Sequence, residues 1–296
     1  MPTRVGYLVT LVALLSATWV GVASAAGAEP EVVTFPSADG KTTLTGYLFK
    51  LARPRSGRAP AVVMMHGRAG AYSQLANGVY DASTLSMRHQ AWGQLWAESG
   101  YVALLVDGFG PRGFAKGFPR FSYDSRPPEL DEVTIRPLDA YGALAYLRSR
   151  PDVVPDRIGL LGWSNGGSAT IAAMSVDTRG IRAPTPASGF RAALAFYPAC
   201  GLKGYFEAGY RPYGPVRVFM GTADEEVSPQ RCSALVEKSR LNGGDIQIRL
   251  YEGASHSFDD PGRKRQTVQA NADATDDAVK RAVSFFKQAL AAVPTR

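Results

Sequence analysis

Short, largely apolar runs alternate along this chain with longer amphipathic stretches. The runs at 60–65, 101–106 and 190–197 each have the length of one strand, and few polar residues interrupt them. Strands that are buried on both faces of a parallel sheet show this continuous pattern. In the stretches 87–99 and 130–150, apolar residues recur instead at the spacing of a helix with one buried face. The alternation predicts a mainly parallel sheet with helices on both faces.

The same patterns extend over the rest of the chain. The segments Glu31–Phe35 and Thr43–Phe49 flank a turn at Ser37–Gly40, which predicts a pair of antiparallel strands. Further elements are predicted as strands at 157–161, 216–220 and 246–251 and as helices at 167–174, 229–241 and 277–292. The chain is therefore predicted to form an α/β fold with one mainly parallel central sheet of about eight strands. No large helical lid is expected.

The first 25 residues are predicted to be a signal peptide rather than part of the fold. Arg4 precedes a mostly apolar run at Val5–Val20, and Ala23-Ser24-Ala25 is a small-x-small cleavage site. The alternative is an uncleaved membrane anchor, because the apolar run nearly reaches spanning length. The cleavage site favours removal, so we expect a secreted or periplasmic protein without stable membrane insertion. Residues 26–296 are then expected to form a single domain.

The cysteine content bears on a disulfide, and the charge distribution bears on nucleic-acid binding. The two cysteines, Cys200 and Cys232, are an even number in a chain expected to be exported, which predicts a disulfide; two separate buried thiols are the alternative. The net charge is +7, but the only tight basic cluster is Arg263–Arg265, without interleaved aromatic residues. Such a cluster is typical of a solvated loop, so no nucleic-acid binding is expected.

The stretch Ile158–Gly167 combines a strand, a sharp turn and the start of a helix. Its residues Gly162-Trp163-Ser164-Asn165-Gly166 match G-x-S-x-G, the pattern of a nucleophile elbow. The turn holds the serine hydroxyl clear of the sheet, and its strained backbone requires nearly absent side chains two residues to either side. Ser164 is therefore predicted to be a nucleophile.

A serine hydroxyl needs a base to take its proton, and a third group must orient that base. The chain has three histidines. His89 lies within a predicted helix, on its polar side, and His66 lies in a turn whose backbone is needed elsewhere. His256 follows the last predicted strand, at the edge of the sheet where chemistry collects in such folds. We therefore predict that His256 is the base.

The orienting acid should also follow a strand, between the serine and the histidine in chain order. Asp224 follows the strand at 216–220 and meets both conditions, with Glu225 and Glu226 as alternatives. Asp107 also follows a strand, but it precedes the serine. Asp224 is therefore the predicted acid.

Two backbone N–H groups are expected to bind the oxyanion that forms during acyl transfer. One belongs to Asn165, the residue after the nucleophile. The second should come from the turn after the third strand, where Arg68 is the predicted donor and Gly67 or Ala69 are alternatives.

Taken together, these motifs resemble the α/β-hydrolase fold and, more narrowly, the dienelactone hydrolase family. The residues that carry the resemblance are His66-Gly67, the elbow at 162–167, Gly221-x-x-Asp224, His256-Ser257-Phe258 and Asp107–Arg112. The resemblance extends from about Thr34 to Ala292. It implies an acyl-transfer hydrolase of small-molecule esters that needs no metal or organic cofactor.

The chain also departs from the family's pattern. The founding enzyme uses a cysteine nucleophile and a glutamate, where this chain has Ser164 and His66. It holds a substrate carboxylate with two arginines; one resembles Arg112, whereas Asp259 and Asp260 stand near the place of the other. Arg112 is thus predicted as a substrate contact, and the alternative is an ion pair that braces its loop.

The resulting hypothesis is an exported serine carboxylesterase. A serine peptidase related to the prolyl oligopeptidases and a non-catalytic binding protein on a hydrolase scaffold are the alternatives. The loops at 108–128 and 177–189, which are rich in Pro, Gly and aromatic residues, are predicted to form the pocket walls.

Overall fold

The computed structural model describes residues 29–292, together with Met1. The predicted signal peptide therefore lies almost entirely outside the described residues. Within them, eight strands form one sheet in the order β1-β2-β4-β3-β5-β6-β7-β8. The strands are β1 (Glu31–Pro36), β2 (Thr43–Phe49), β3 (Ala59–Met65), β4 (Val102–Asp107), β5 (Val153–Trp163), β6 (Ala192–Phe196), β7 (Val216–Gly221) and β8 (Ile246–Tyr251). The helices are α1 (Met87–Glu98), α2 (Arg136–Ser149), α3 (Asn165–Ala173), α4 (Pro229–Leu241), α5 (Arg263–Gln266) and α6 (Gln269–Ala289).

Strand direction divides the sheet into two parts. β1 and β2 are antiparallel to each other, and β2 is antiparallel to β4. Every other neighbouring pair is parallel. The predicted α/β fold with a mostly parallel sheet of eight strands is confirmed.

The continuous apolar runs become strands that are covered on both faces. Every residue of β3 and of β4 is buried. Successive residues of β5 face opposite sides of the sheet. A Cβ added to Gly159 would meet Phe286 of α6, whereas one added to Gly162 would meet the first turns of α3. Helices therefore cover both faces, as the sequence pattern predicts.

α3 begins two residues before its predicted start at Gly167, and two other helices begin further from their predicted starts. α2 starts at Arg136, six residues after the predicted start, because a short 3₁₀ turn and an Asp131-capped turn occupy the intervening segment. α6 starts at Gln269, eight residues before the predicted start at Asp277. Its first turns bury small residues such as Ala274, which a search for large apolar residues at helical spacing misses.

The sheet brings the ends of distant segments to one edge. In parallel strands, the carboxyl ends lie together and the loops that follow them share one surface. β5 leads there to Ser164, β7 to Asp224 and β8 to His256. Within residues 29–292, no helix combines the length and the apolar character that spanning a bilayer requires.

Candidate active site

The serine elbow is held in a strained but well-supported conformation. Ser164 lies between β5 and α3 with φ 52° and ψ −115°, a region that L-residues seldom adopt. Its N–H donates to the carbonyl of Phe196 at 2.9 Å. A Cβ on Gly162 would lie 2.1 Å from the carbonyl oxygen of Gly166, and one on Gly166 would lie 2.1 Å from that of Met65. Both glycines of the motif are thus required by close backbone approach.

Three predicted side chains form one hydrogen-bonded chain. The His256 Nε2 lies 3.0 Å from the Ser164 Oγ, and the His256 Nδ1 lies 2.8 Å from the Asp224 Oδ2. An ionised carboxylate only accepts hydrogen bonds, so Nδ1 carries the proton and Nε2 is left to accept from the serine hydroxyl. The arrangement can move a proton from Ser164 to His256.

The acid and the histidine are both fixed by their surroundings. The Asp224 Oδ1 accepts the backbone N–H groups of Glu226 and Val227, each at 2.9 Å. The His256 N–H donates to the Glu225 side chain at 2.9 Å, and the imidazole packs on the Tyr197 ring with centroids 4.7 Å apart. The imidazole and the Asp224 carboxylate are almost fully buried, so little solvent competes for their hydrogen bond.

Glu226, one of the alternative acids, is engaged elsewhere. Its carboxylate accepts two hydrogen bonds from Arg68, at 2.8 and 3.0 Å, and forms an ion pair with Arg120 at 2.9 Å. Burial alone would raise the pKa of Glu226, but the hydrogen bond from Arg68 and the charges of His256, Arg68 and Arg120 lower it below its usual value. One Glu226 oxygen still lies only 3.8 Å from the His256 Nε2.

The predicted oxyanion donors lie on the two segments that meet at the elbow. Among residues 29–292, neither the Asn165 N–H nor the Arg68 N–H has a hydrogen-bond acceptor, and the amides of Gly67 and Ala69 share this property. A Cβ on Gly67 would lie 3.2 Å from the Trp163 carbonyl oxygen, so this turn packs directly against the elbow. These N–H groups are therefore available to a substrate oxygen.

The other two histidines are buried away from this hydrogen-bonded chain. His66 is completely buried; its Nδ1 lies 2.7 Å from the Gly67 carbonyl oxygen, and its Nε2 accepts the Gly108 N–H. His89 is also buried, although the sequence pattern predicts it on the polar side of its helix. Burial lowers the pKa of His66 well below 6.5 and that of His89 to about 4. Both rings are therefore neutral at pH 7.

Arg112 does not line the cavity at Ser164. Its guanidinium donates to both oxygens of the buried Asp139, at 2.9 and 2.8 Å, to the Gly108 carbonyl and to Asp39. Only 7% of its side chain is exposed. The structure thus contains the loop-bracing ion pair that the sequence left open as the alternative.

A cavity of about 730 Å³ opens at Ser164. The loop after β4 contributes Phe121 and Tyr123 to its walls, in agreement with the prediction for 108–128. The predicted wall at 177–189 is absent from the lining. Arg148 near the end of α2 binds the carbonyls of residues 187–189 and of Pro155 at the start of β5. The connection from α3 to β6 thus returns the chain to the amino edge of the sheet, away from the cavity.

The opposite wall comes from segments that the sequence analysis did not single out. It includes Phe206 and Tyr210, which follow β6, and Leu235 of α4. The aromatic and glycine content of 201–210 is the same signal that marked the loop after β4. The predicted disulfide is present and joins Cys200 to Cys232, with Cα atoms 5.0 Å apart. It links this wall segment to α4.

Asp259 is a further residue whose role the sequence did not reveal. One of its oxygens accepts the indole N–H groups of Trp92 and Trp163, at 2.9 and 2.8 Å. The other accepts the Tyr197 hydroxyl at 2.5 Å. Because Trp163 precedes the nucleophile and Tyr197 packs on His256, this buried carboxylate connects the elbow to the histidine's support. Among residues 29–292, no cluster of three or more His, Cys, Asp or Glu side chains is arranged to hold a metal ion.

Comparison with known families places this site in context. The model of the family described as "Dienelactone hydrolase family" matches residues 44–290. The chain belongs to the dienelactone hydrolase family. The matched range of this family member contains Ser164, Asp224 and His256. The resemblance predicted from its motifs is thereby confirmed.

Two curated relatives show the breadth of sequences similar to this dienelactone hydrolase family member. Human dipeptidyl peptidase 8 is 28% identical over 251 residues, which are 77% of this chain and 26% of that protein. The chain thus spans about a quarter of that relative's length. A probable 2-oxo-3-(5-oxofuran-2-ylidene)propanoate lactonase from Bradyrhizobium sp is 24% identical over 232 residues, which are 77% of this chain and 85% of that protein.

Solved structures share the fold of this family member. Esterase 2 from Thermogutta terrifontis, phosphorylated by paraoxon, is 21% identical with a TM-score of 0.60, over 88% of this chain and 95% of that one. A dienelactone hydrolase-like promiscuous phosphotriesterase from metagenomic libraries is 20% identical with a TM-score of 0.61, over 87% and 97%. At these identities the likeness establishes the common α/β fold.

Proposed function

We propose that this chain is a serine hydrolase that cleaves small carboxylic esters through an acyl-enzyme. The observation that carries the proposal is the chain of hydrogen bonds from Ser164 through His256 to Asp224, at 3.0 and 2.8 Å, at the mouth of a cavity. Family membership and the similar esterase folds support the same reaction class.

Each residue has a defined role in the proposed reaction. The Ser164 Oγ attacks the ester carbonyl carbon while its proton moves to the His256 Nε2. The Asn165 and Arg68 N–H groups stabilise the oxyanion of the tetrahedral intermediate. His256 then protonates the leaving alcohol oxygen, and the acyl group stays on Ser164. Water, deprotonated by His256, attacks the carbonyl carbon of the acyl-enzyme. The bond from that carbon to the Ser164 Oγ then breaks, His256 returns the proton to this oxygen, and the carboxylic acid leaves.

Hydrolysis of p-nitrophenyl acetate and butyrate tests this proposal. We expect Ser164→Ala to lower kcat on the order of 10⁶-fold, as in other triad enzymes that lose the nucleophile. Ser168→Ala is the matched control, because Ser168 lines the same cavity and, among the described residues, its hydroxyl bonds only to backbone groups of Ser164 and Ala199. Equal kcat in Ser164→Ala and the wild type would refute the assignment. A wild type that a fluorophosphonate fails to label would favour a non-catalytic binding protein.

A peptidase is the second candidate, supported by the 28% identity to dipeptidyl peptidase 8. The catalytic steps would be the same, with an amine in place of the alcohol as leaving group. Comparison of kcat/KM for alanyl-prolyl-p-nitroanilide and for p-nitrophenyl butyrate discriminates the two. A higher value for the anilide would assign the peptidase, since activated esters are otherwise the easier substrates.

We also propose that the protein is exported after removal of residues 1–25. The charged start, apolar run and Ala23-Ser24-Ala25 site support this, and a disulfide is typical of oxidising compartments. Mass spectrometry of protein recovered from cells and medium should give a chain that begins at Ala26. A chain that retains Met1 in the membrane fraction would instead indicate an uncleaved anchor.

A further inference from the structure

A buried arginine connects the two segments that carry the proposed oxyanion donors. Arg136, the first residue of α2, is completely buried. Its Nη1 donates to the His66 carbonyl oxygen at 2.8 Å and to the Asn165 Oδ1 at 2.5 Å. His66 lies two residues before Arg68, and Asn165 follows the nucleophile. One nitrogen atom thus contacts both walls of the oxyanion site.

The Asn165 side chain, which accepts a hydrogen bond from Arg136, is also held by a second residue. The Asn165 Nδ2 donates to the Glu132 Oε2 at 3.1 Å, so the side-chain amide is held between Glu132 and Arg136. Glu132 is 2% exposed and Asn165 is 4% exposed. Charge-assisted hydrogen bonds between buried groups are short and directional. The orientation of the Asn165 residue, and with it the direction of its backbone N–H, is therefore constrained.

The burial of the Arg136 charge is not explained by a contribution to folding stability alone. Within residues 29–292 Arg136 forms no direct ion pair with a carboxylate, and its Nε and Nη2 have no hydrogen-bond partner. Burial lowers the pKa of Arg136 to about 10, and the charges of Asp139 and Glu132 offset only part of this effect. The guanidinium lies over the Phe109 ring, with 4.9 Å between its Cζ and the ring centroid. Burial of a charge without a direct counter-ion opposes folding, so the energetic cost of this arginine is not recovered by ion pairing.

We propose that Arg136 is a positioning residue, which fixes the relative placement of the Asn165 and Arg68 N–H groups for oxyanion binding. The inference rests on the proposed ester hydrolysis. Arg136 does not line the cavity, so it acts through His66 and Asn165 and not on the substrate directly. Donors that are held before the reaction need no reorganisation when the charge develops. Substrate binding in the ground state makes little use of them.

The test compares Arg136→Met with the wild type in p-nitrophenyl butyrate hydrolysis. Displacement of reacting groups by about 1 Å lowers rates about 100-fold. We therefore expect kcat to fall by about that factor while KM changes less than about threefold. The affinity for a trifluoromethyl ketone, whose adduct with Ser164 places an oxyanion in the same site, should fall in parallel with kcat.

Arg148→Met is the matched control. Arg148 belongs to the same helix and also donates to carbonyl oxygens, but those lie at the opposite edge of the sheet. It should lower stability without a change in kcat or in ketone affinity. Asn165→Ala removes the side chain and retains the backbone N–H. The double variant Arg136→Met/Asn165→Ala should show a fold-loss of kcat clearly smaller than the product of the fold-losses of the two single variants.

The outcomes separate the inference from the function on which it rests. A folded Arg136→Met protein with wild-type kcat and wild-type ketone affinity would overturn the positioning role alone. If that variant does not fold, Arg136→Lys, which keeps the charge but shifts the donor atom, undergoes the same comparison against the same criteria. A wild type that hydrolyses no ester and forms no ketone adduct would overturn the proposed function itself.

Discussion

At the residue scale, the proposed proton transfer depends on the tautomer of one histidine. The Asp224 carboxylate accepts from the His256 Nδ1, which leaves Nε2 facing the Ser164 hydroxyl. Glu226 is near the same nitrogen, but two arginines already bind it. The roles of Asp224 and Glu226 can therefore be tested separately.

Asp224→Asn should lower kcat about 10⁴-fold, the effect known for the equivalent change in a triad protease. The amide would favour the wrong histidine tautomer while it keeps the volume of the acid. Steady-state hydrolysis of p-nitrophenyl butyrate measures the effect. Glu225→Gln is the control, because Glu225 accepts a hydrogen bond from the backbone N–H of His256 and not from its imidazole. A larger loss in Glu226→Gln than in Asp224→Asn would transfer the role to Glu226.

His89 should make the protein less stable at mildly acidic pH. Burial lowers its folded pKa from 6.5 to about 4, so the unfolded chain binds a proton as pH falls and the folded protein does not. Its contribution to stability is complete above pH 6.5 and is lost as pH decreases toward 4. At pH 5 the loss is about 2 kcal/mol.

Urea unfolding at pH 7.5 and pH 5 measures this effect. His89→Gln, which can still donate to the Ala71 carbonyl, should show a drop in unfolding free energy smaller than the wild type's by about 2 kcal/mol. His66 contributes equally to both proteins. Identical pH dependence in the two would contradict the assignment to His89.

At the element scale, the meeting of β5, α3 and β3 determines where the serine lies. α3 starts so close to the end of β3 that a Cβ on Gly166 would lie 2.1 Å from the Met65 carbonyl oxygen and 2.5 Å from that of His66. Both contacts are to backbone, which a rotamer change cannot relieve. The elbow and the turn that bears Arg68 are thus packed as one unit.

Gly166→Ala should lower the free energy of unfolding by about 1–3 kcal/mol. Alanine would gain about 1 kcal/mol of helix propensity, but the steric overlap exceeds that gain. Gly201→Ala is the control: Gly201 has φ −70°, and its added Cβ would meet only the end of the Arg231 side chain, at 3.2 Å. Urea unfolding of both variants measures the difference. A Gly166→Ala protein as stable as Gly201→Ala would show that α3 does not approach the end of β3 as closely as these distances indicate.

At the scale of the whole molecule, the disulfide connects the segment after β6 to α4. The two cysteines are 32 residues apart, and closure of a loop of that length in the unfolded chain corresponds to about 4 kcal/mol in the chain-entropy description. Both ends border the cavity region, since Cys200 lines it and Cys232 belongs to α4. The covalent link therefore stabilises the wall opposite the loop after β4.

Reduction should lower the urea midpoint of the wild type and leave that of the Cys200→Ala/Cys232→Ala double variant unchanged. The double variant should itself be less stable than the oxidised wild type by about 4 kcal/mol. Unfolding with and without a phosphine reductant measures both effects. Equal midpoints for the oxidised and reduced wild type would show that the link adds no stability.

The sequence by itself determined the features that depend on local pattern. Continuous apolar runs indicated β3, β4 and β6, since a strand buried on both faces tolerates few polar residues. The glycines around Ser164 indicated the elbow, because only glycine permits so close a backbone approach. The order of Asp224 and His256 after successive strands indicated their convergence, since parallel strands end at one edge.

Only the tertiary structure decided which side chains meet when they are distant in the sequence. It placed Arg112 on Asp139 rather than in the cavity, and it placed the carbonyls of 187–189 against Arg148, outside the cavity lining. It also brought Arg136 to Asn165, 29 residues away, and Asp259 to Trp163, 96 residues away. Such contacts depend on the crossing of elements and on side-chain direction, which no periodicity along the chain records.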